Sequence, residues 1–264
     1  KGNIIKFPSI SVGATENAIL AAVSAKGKTI ISNCAIEPEI QDMILFLKKI
    51  GCNINFIGKR KILIIGINNF KNATHQIIFD RIELGTYIIA GALTGKKIIL
   101  KKINPEIIDT EIRVMKKMGV RMKVEKNRIT VYESKKINSI SVKTEAYPGF
   151  PTDLQAQIMV LMSKAKGVSK VKENIFENRF MHVPELKRMG AKIITKNNIA
   201  IITGPTNLSG AEVMATDLRA SVSLVLAALV ADKKTIINRV YHLDRGYENL
   251  EKKLKKCKAS INRI

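Results

Sequence analysis

Phe150-Pro151-Thr152-Asp153-Leu154-Gln155-Ala156-Gln157 opens the stretch from which the fold is read. It closes on Phe176-Glu177-Asn178-Arg179-Phe180-Met181-His182-Val183-Pro184-Glu185-Leu186-Lys187-Arg188-Met189-Gly190-Ala191. Pro151 and Thr152 suit the start of an apolar helix, where Thr152 or Asp153 can accept from free backbone N–H groups. A second helix is predicted from about Pro184, with Asn178, Arg179 and His182 crowded into the turn before it. A carboxylate and a guanidinium thus stand at the mouths of two consecutive helices, where backbone N–H groups also point. That combination suits an anionic, polar ligand.

The same plan recurs on both sides of this stretch. First helices stop at Ala25-Lys26-Gly27, Thr94-Gly95, Lys166-Gly167 and Asp232-Lys233, and strands such as Lys28-Thr29-Ile30-Ile31 and Lys234-Thr235-Ile236-Ile237 follow. Second helices stop at Lys48-Lys49-Ile50-Gly51, Lys116-Lys117-Met118-Gly119, Lys187-Arg188-Met189-Gly190 and Lys255-Lys256-Cys257-Lys258, spaced 68, 71 and 68 residues apart. Basic residues in a last turn complement the helix dipole, and Gly just beyond supplies a left-handed cap. Apolar stripes at helical spacing (Ile40, Met43, Ile44, Leu47, Ile50; Ile108, Ile112, Met115, Met118) support the second helices. The runs Ile62-Leu63-Ile64-Ile65 and Ile199-Ala200-Ile201-Ile202 predict buried strands. The fold class is therefore α/β (α+β), in repeated βαβαββ subdomains too small to be stable without neighbours. The fourth stops after one strand.

The chain has 264 residues, 46% of them hydrophobic, enough for one large or two modest globular domains. No apolar run reaches the ~18 residues of a membrane span, so no membrane partner is expected. The net charge of +23 raises the question of nucleic acid. Lysines are scattered through every segment, however, and the 5% aromatics do not alternate with them as a base-stacking surface would. A solvated basic surface that draws in anions is the expectation, with no nucleic-acid partner. Cys34, Cys52 and Cys257 lack paired spacing, which fits a reducing cytoplasm. His75, His182 and His242 lack metal-ligand spacing, so neither a metal nor a cofactor is expected.

Within a repeat, positions that serve the fold should match and those that serve a ligand should diverge. The junctions ahead of the first helices diverge: Ser11-Val12-Gly13-Ala14-Thr15, Asp80-Arg81, Thr152-Asp153 and Thr216-Asp217-Leu218-Arg219. So do those ahead of the second helices: Glu37-Pro38-Glu39, Asn104-Pro105-Glu106, Glu177-Asn178-Arg179 and His242-Leu243-Asp244-Arg245. Taken singly, an Asp at a helix start is a cap and an Arg there a surface residue. Taken together, they are expected to converge on one cleft.

Five ordered motifs, spread over the whole chain, carry a family resemblance: Ser11-Val12-Gly13-Ala14-Thr15-Glu16-Asn17, Phe150-Pro151-Thr152-Asp153, Phe176-Glu177-Asn178-Arg179-Phe180-Met181-His182, Ala215-Thr216-Asp217-Leu218-Arg219-Ala220 and His242-Leu243-Asp244-Arg245-Gly246-Tyr247. They resemble the UDP-N-acetylglucosamine 1-carboxyvinyltransferase family of enolpyruvyl transferases. The resemblance implies an inside-out α/β barrel fold, with four of its six units here. It implies transfer of enolpyruvyl from phosphoenolpyruvate to the 3-hydroxyl of UDP-N-acetylglucosamine, the first committed step of peptidoglycan synthesis. By the same resemblance Asp153 binds that hydroxyl and accepts its proton, and Asp217 lies beside the reacting carbons. Arg179, Arg219 and Arg245 face phosphate and carboxylate, Ser11, Val12 and Gly13 meet the uridine diphosphate, and the Ile175 backbone meets the sugar.

The family's reactive Cys and a Lys-Asn pair lie upstream of the matched region, so the partners include a missing N-terminal segment of the same chain. Residues 1–74 would then be the last repeat of the Cys-loop domain, and residues 75–264 a second domain lacking strands supplied from the N-terminus. On that reading the 264 residues alone are inactive, and Cys34 is structural. Two alternatives stay open: a non-catalytic nucleotide-sugar binding fragment, and another enolpyruvyl transferase such as enolpyruvylshikimate phosphate synthase.

Overall fold

A computed structural model describes all residues, Lys1–Ile264. The chain divides into two units: Lys1–Phe79 with Ala146–Pro148, and Asp80–Glu145 with Gly149–Ile264. The boundary thus falls at Phe79 rather than at residue 74. His75 belongs with the first unit because its Nε2 lies 3.0 Å from Asp42 Oδ1.

The first unit contains β1 (Ile4–Lys6), α1 (Val12–Ala22), β2 (Lys28–Ser32), α2 (Pro38–Lys49), β3 (Asn53–Gly58) and β4 (Lys61–Ile65). Its sheet runs β1-β2-β4-β3, with the first pair parallel and the others antiparallel. The β2–β4 register pairs Thr29 with Ile64 and Ile31 with Ile62, and all four side chains are buried. Ile65 on the same strand is exposed. The apolar run therefore forms a strand covered on one face, because strand neighbours point to opposite sides. Ile40, Ile44 and Leu47 of α2 complete this core.

The second unit begins with α3 (Arg81–Thr94), β5 (Ile98–Lys101), α4 (Asp109–Lys117), β6 (Met122–Glu125) and β7 (Arg128–Val131). It continues with β8 (Ser141–Lys143), α5 (Gln155–Ser163), β9 (Gly167–Lys172), α6 (Val183–Arg188), β10 (Lys192–Lys196) and β11 (Ile199–Gly204). It ends with β12 (Glu212–Met214), α7 (Leu218–Ala228), β13 (Ile236–Asn238), α8 (Tyr241–Asp244) and α9 (Leu250–Lys256). The sheet β8-β9-β11-β10 repeats the strand order and pairing directions of the first unit. The sheet β5-β7-β6 lacks the leading strand, since the residues ahead of α3 form none, and β12-β13 is a lone parallel pair. Helices α3, α5 and α7 pack against one another. All nine residues of α5 are buried, which is why Gln155-Ala156-Gln157-Ile158-Met159-Val160-Leu161 shows no amphipathic stripe.

The four expected second-helix ends share one hydrogen-bond pattern. Gly51, Gly119, Gly190 and Lys258 donate back to the carbonyls of Lys48, Lys116, Lys187 and Lys255. The next residues, Cys52, Val120, Ala191 and Ala259, donate to Leu47, Met115, Leu186 and Leu254. This is the Schellman arrangement, and it puts the residue after each helix in the left-handed region. Gly51, Gly119 and Gly190 have φ of 99°, 91° and 92°, and Lys258 adopts 65° although it carries a side chain.

His182 precedes α6 and is 1% exposed, and neither ring nitrogen has a hydrogen-bond partner. Burial drives its pKa down to about 4; Asp217 pulls it back up and Arg179 depresses it further.

These features carry three stability predictions. Lys258→Gly relieves the left-handed strain and should raise stability by about 0.5–1 kcal/mol. Gly119→Ala places a Cβ 2.7 Å from the Lys136 carbonyl oxygen at positive φ and should cost more than about 1 kcal/mol, both read from urea midpoints. His182 is neutral when folded, whereas the unfolded chain protonates it near pH ~6.5. Its contribution is therefore complete above that pH and declines as the pH falls toward 4, and His182→Gln should flatten the urea midpoint across that window.

Candidate functional site

The starts of α3, α5 and α7 supply the charged groups of one cluster. Asp80 caps α3, and its Oδ1 accepts from the N–H groups of Ile82 and Glu83 at 2.7 and 3.1 Å. Asp217 caps α7, with Oδ1 accepting from Arg219 and Ala220 at 2.7 and 2.8 Å. At α5 the expectation of a cap fails. A single 3-10 turn, Thr152–Leu154, leads into the helix, and neither Thr152 nor Asp153 gives a side-chain cap. Both side chains turn instead to the chain ahead of α6. Asp153 Oδ1 accepts from Arg179 Nη2 at 2.6 Å, and Thr152 Oγ1 meets Arg179 Nη1 at 3.0 Å.

Asp153 has a second cationic neighbour. Its Oδ2 lies 3.7 Å from Arg219 Nε, and Arg219 Nη1 lies 3.8 Å from Asp80 Oδ2. The side chains of Arg179 and Arg219 are 20% and 18% exposed, against 37% for Asp153. Arg219 Nη1 is buried and has no hydrogen-bond partner, so a donor stands ready for an acceptor. The Arg219 guanidinium lies over the Tyr247 ring at 5.6 Å, and that of Arg179 over Phe176 at 4.8 Å. Aromatic faces hold a guanidinium in place while leaving its in-plane donors usable.

Beneath the charges lies a neutral polar layer. The Tyr247 hydroxyl meets Thr86 Oγ1 at 3.0 Å and Gln157 Nε2 at 3.2 Å, and Gln157 Nε2 also reaches the Asp153 carbonyl at 2.8 Å. Burial pushes the Tyr247 phenol up, which keeps it protonated as a donor. This layer ties α3, α5 and the chain after α8 together directly below Asp153.

The structure therefore gathers Asp153, Arg179, Arg219 and the start of α7 with Asp217. Arg245 follows α8 and is exposed, outside these ion pairs, although the next residue, Gly246, abuts Leu218 and Arg219. Ile175 is 41% exposed, and its N–H donates to Glu173 Oε1 at 2.9 Å. Ser11, Val12 and Gly13 lie in the first unit. There Ser11 caps α1 by accepting from Ala14 N–H at 3.2 Å, and a Cβ at Gly13 would meet no atom within 4 Å. Cys34 is buried, and burial raises its thiol pKa. Asp80 enters the cluster although the sequence marks it only as a diverging junction. Glu173 and Gln157 had no motif to announce them.

The family model described as EPSP synthase (3-phosphoshikimate 1-carboxyvinyltransferase) matches residues 1–254. The UDP-N-acetylglucosamine 1-carboxyvinyltransferase of Pelagibacter ubique (strain HTCC1062) is 59% identical over 263 residues, covering 100% of this chain and 63% of that protein. The protein of the same name from Rhodopseudomonas palustris (strain HaA2) is 50% identical over 265 residues, covering 100% and 62%. The chain thus spans about three fifths of the length of these curated relatives. Among solved structures, the enolpyruvyl transferase NikO from Streptomyces tendae matches with a TM-score of 0.88 at 28% identity, covering 95% of this chain and 60% of that one. An EPSP synthase from Acinetobacter baumannii, at 18% identity and a TM-score of 0.73 over 97% and 62%, shares the mixed α/β fold. With a match that runs from its first residue to residue 254, the chain belongs to the EPSP synthase (3-phosphoshikimate 1-carboxyvinyltransferase) family.

Proposed function

We propose that the protein transfers the enolpyruvyl group of phosphoenolpyruvate to the 3-hydroxyl of UDP-N-acetylglucosamine. The observation that carries this reading is the Asp153 carboxylate shared between Arg179 and Arg219 at the mouths of buried helices. The names borne by the 59% and 50% identical relatives support the choice of acceptor.

In the proposed reaction the sugar hydroxyl oxygen bonds to the central carbon of phosphoenolpyruvate while its proton passes to Asp153, and the terminal carbon takes a proton from a general acid of the full-length protein, which recovers it in the elimination. A carboxylate is a weak base for an alcohol, so proton transfer accompanies bond formation. The C–O bond to phosphate then breaks, and loss of a proton from the terminal carbon restores the double bond. Asp217 is assigned a place beside the reacting carbons, using the oxygen that capping leaves over. Arg179, Arg219 and Arg245 are assigned to phosphate and carboxylate, for which a planar fork of donors is suited. Because Arg179 and Arg219 already face carboxylates, an arriving anion exchanges places with Asp153, which frees that base for the hydroxyl. Ser11, Val12 and Gly13 are assigned to the diphosphate, and the Ile175 backbone to the sugar.

The same proposal reads the first unit as the last repeat of one domain and the second unit as three repeats of another. Together they make four of six units of an inside-out α/β barrel. The reaction belongs in the cytoplasm and serves peptidoglycan synthesis, hence cell wall growth, shape and division. The family model's own description favours a second reading, with shikimate 3-phosphate as acceptor. The full-length protein is expected to release phosphate from phosphoenolpyruvate with UDP-N-acetylglucosamine and not with shikimate 3-phosphate; the reverse preference would overturn the assignment, and nucleotide-sugar binding without turnover would make it a binding protein. Asp153→Asn should lower kcat by about 100-fold or more. Arg219→Lys, which loses the fork, should raise KM for phosphoenolpyruvate by about tenfold in steady-state assays.

A further inference from the structure

Glu173 follows β9, is 2% exposed and belongs to none of the motifs. Its carboxylate is nevertheless the most heavily used acceptor near the cluster. Oε1 accepts from Thr144 Oγ1 at 2.8 Å and from the N–H groups of Ile175 and Phe176 at 2.9 and 3.1 Å. Oε2 accepts from Thr152 Oγ1 at 2.8 Å. A hydroxyl has one hydrogen to give. Thr152 gives it to Glu173, so toward Arg179 Nη1 the same oxygen can only accept. The chain of bonds therefore has a fixed direction, from guanidinium to hydroxyl to carboxylate, and a negative charge at its far end strengthens each link.

We propose that Glu173 is a positioning residue: through Thr152 it aims the Arg179 guanidinium, and through two backbone N–H groups it fixes the chain that carries Ile175 to Arg179. The consequence for phosphoenolpyruvate rests on the function proposed above. When Arg179 leaves Asp153 for the substrate anion, its second link, to Thr152, persists. The guanidinium then pivots about a fixed point and is not released to solvent, and an anion meets donors whose ordering cost has already been met.

The test uses Thr152→Val and Glu173→Gln in the full-length protein. The first deletes the middle of the relay with little change in shape. The second keeps an acceptor for the two N–H groups but turns a donor toward Thr152. Asn198→Ala is the control, because Asn198 Nδ2 bonds the Glu173 backbone carbonyl at 2.9 Å and not its carboxylate. Both relay variants are expected to raise KM for phosphoenolpyruvate about tenfold, with a melting temperature close to the control's, while the control stays within about twofold of wild type. Unchanged KM in Thr152→Val and Glu173→Gln, or an equal rise in the control, would overturn the relay. A wild-type protein that turns over no phosphoenolpyruvate defeats only the functional reading. The Arg179 Nε–H NMR resonance then decides: Thr152→Val must shift it and Asn198→Ala must not, and the opposite result refutes the positioning role.

Discussion

Burial of α5 along its whole length, and of α3 and α7 along most of theirs, is the constraint on which the second unit depends. A helix with no wet face can place charge only at its ends, where backbone N–H groups lack partners in any case. The charged groups of these three helices therefore collect at their starts: Asp80 ahead of α3, Asp153 ahead of α5, Asp217 and Arg219 at α7. The apolar bodies of the helices hold those starts side by side, with Thr86, Gln157 and Tyr247 hydrogen-bonded in a polar layer behind the charges. Packing decides the geometry, and the charges inherit it.

The ion pairs in the cluster are partly exposed, so they add little to stability by themselves. Their value is that they can be exchanged. A lone buried guanidinium would be costly to keep, and a guanidinium locked in a dry pair could not be recruited. Arg179 and Arg219 sit between these limits, each held by an aromatic face and each facing a carboxylate in a partly exposed pair. The net charge of +23 acts at longer range, raising the local concentration of anions before any specific contact forms.

Much of this was legible in the sequence because repetition separates fold from function. The Schellman ends at Gly51, Gly119 and Gly190 announce themselves by a basic turn followed by Gly, and Lys258 is placed by spacing alone. Asp153, Arg179 and Arg219 stand out as charges where the units diverge. Other features were hidden because nothing local encodes them. Thr152 and Asp153 look like helix caps, and only the three-dimensional placement of Arg179 shows that they are not. Glu173 is one acidic residue at a strand end, and its four partners come from three separate stretches of chain. The strands at Ile62–Ile65 and Ile199–Ile202 read as wholly apolar, yet only alternate residues are buried, because the apolar content of a run does not reveal how many of its faces are covered.

The all-round burial of α5 also bears on how such a protein can change over time. Every side chain of that rod is locked against neighbours, so substitution along its length is penalised whatever the chemistry at its tip. Just ahead of it Leu154 is buried as well, and only Thr152 and Asp153 are partly exposed. A lineage can thus change the chemistry presented at Thr152 and Asp153 alone, on a mount that stays the same.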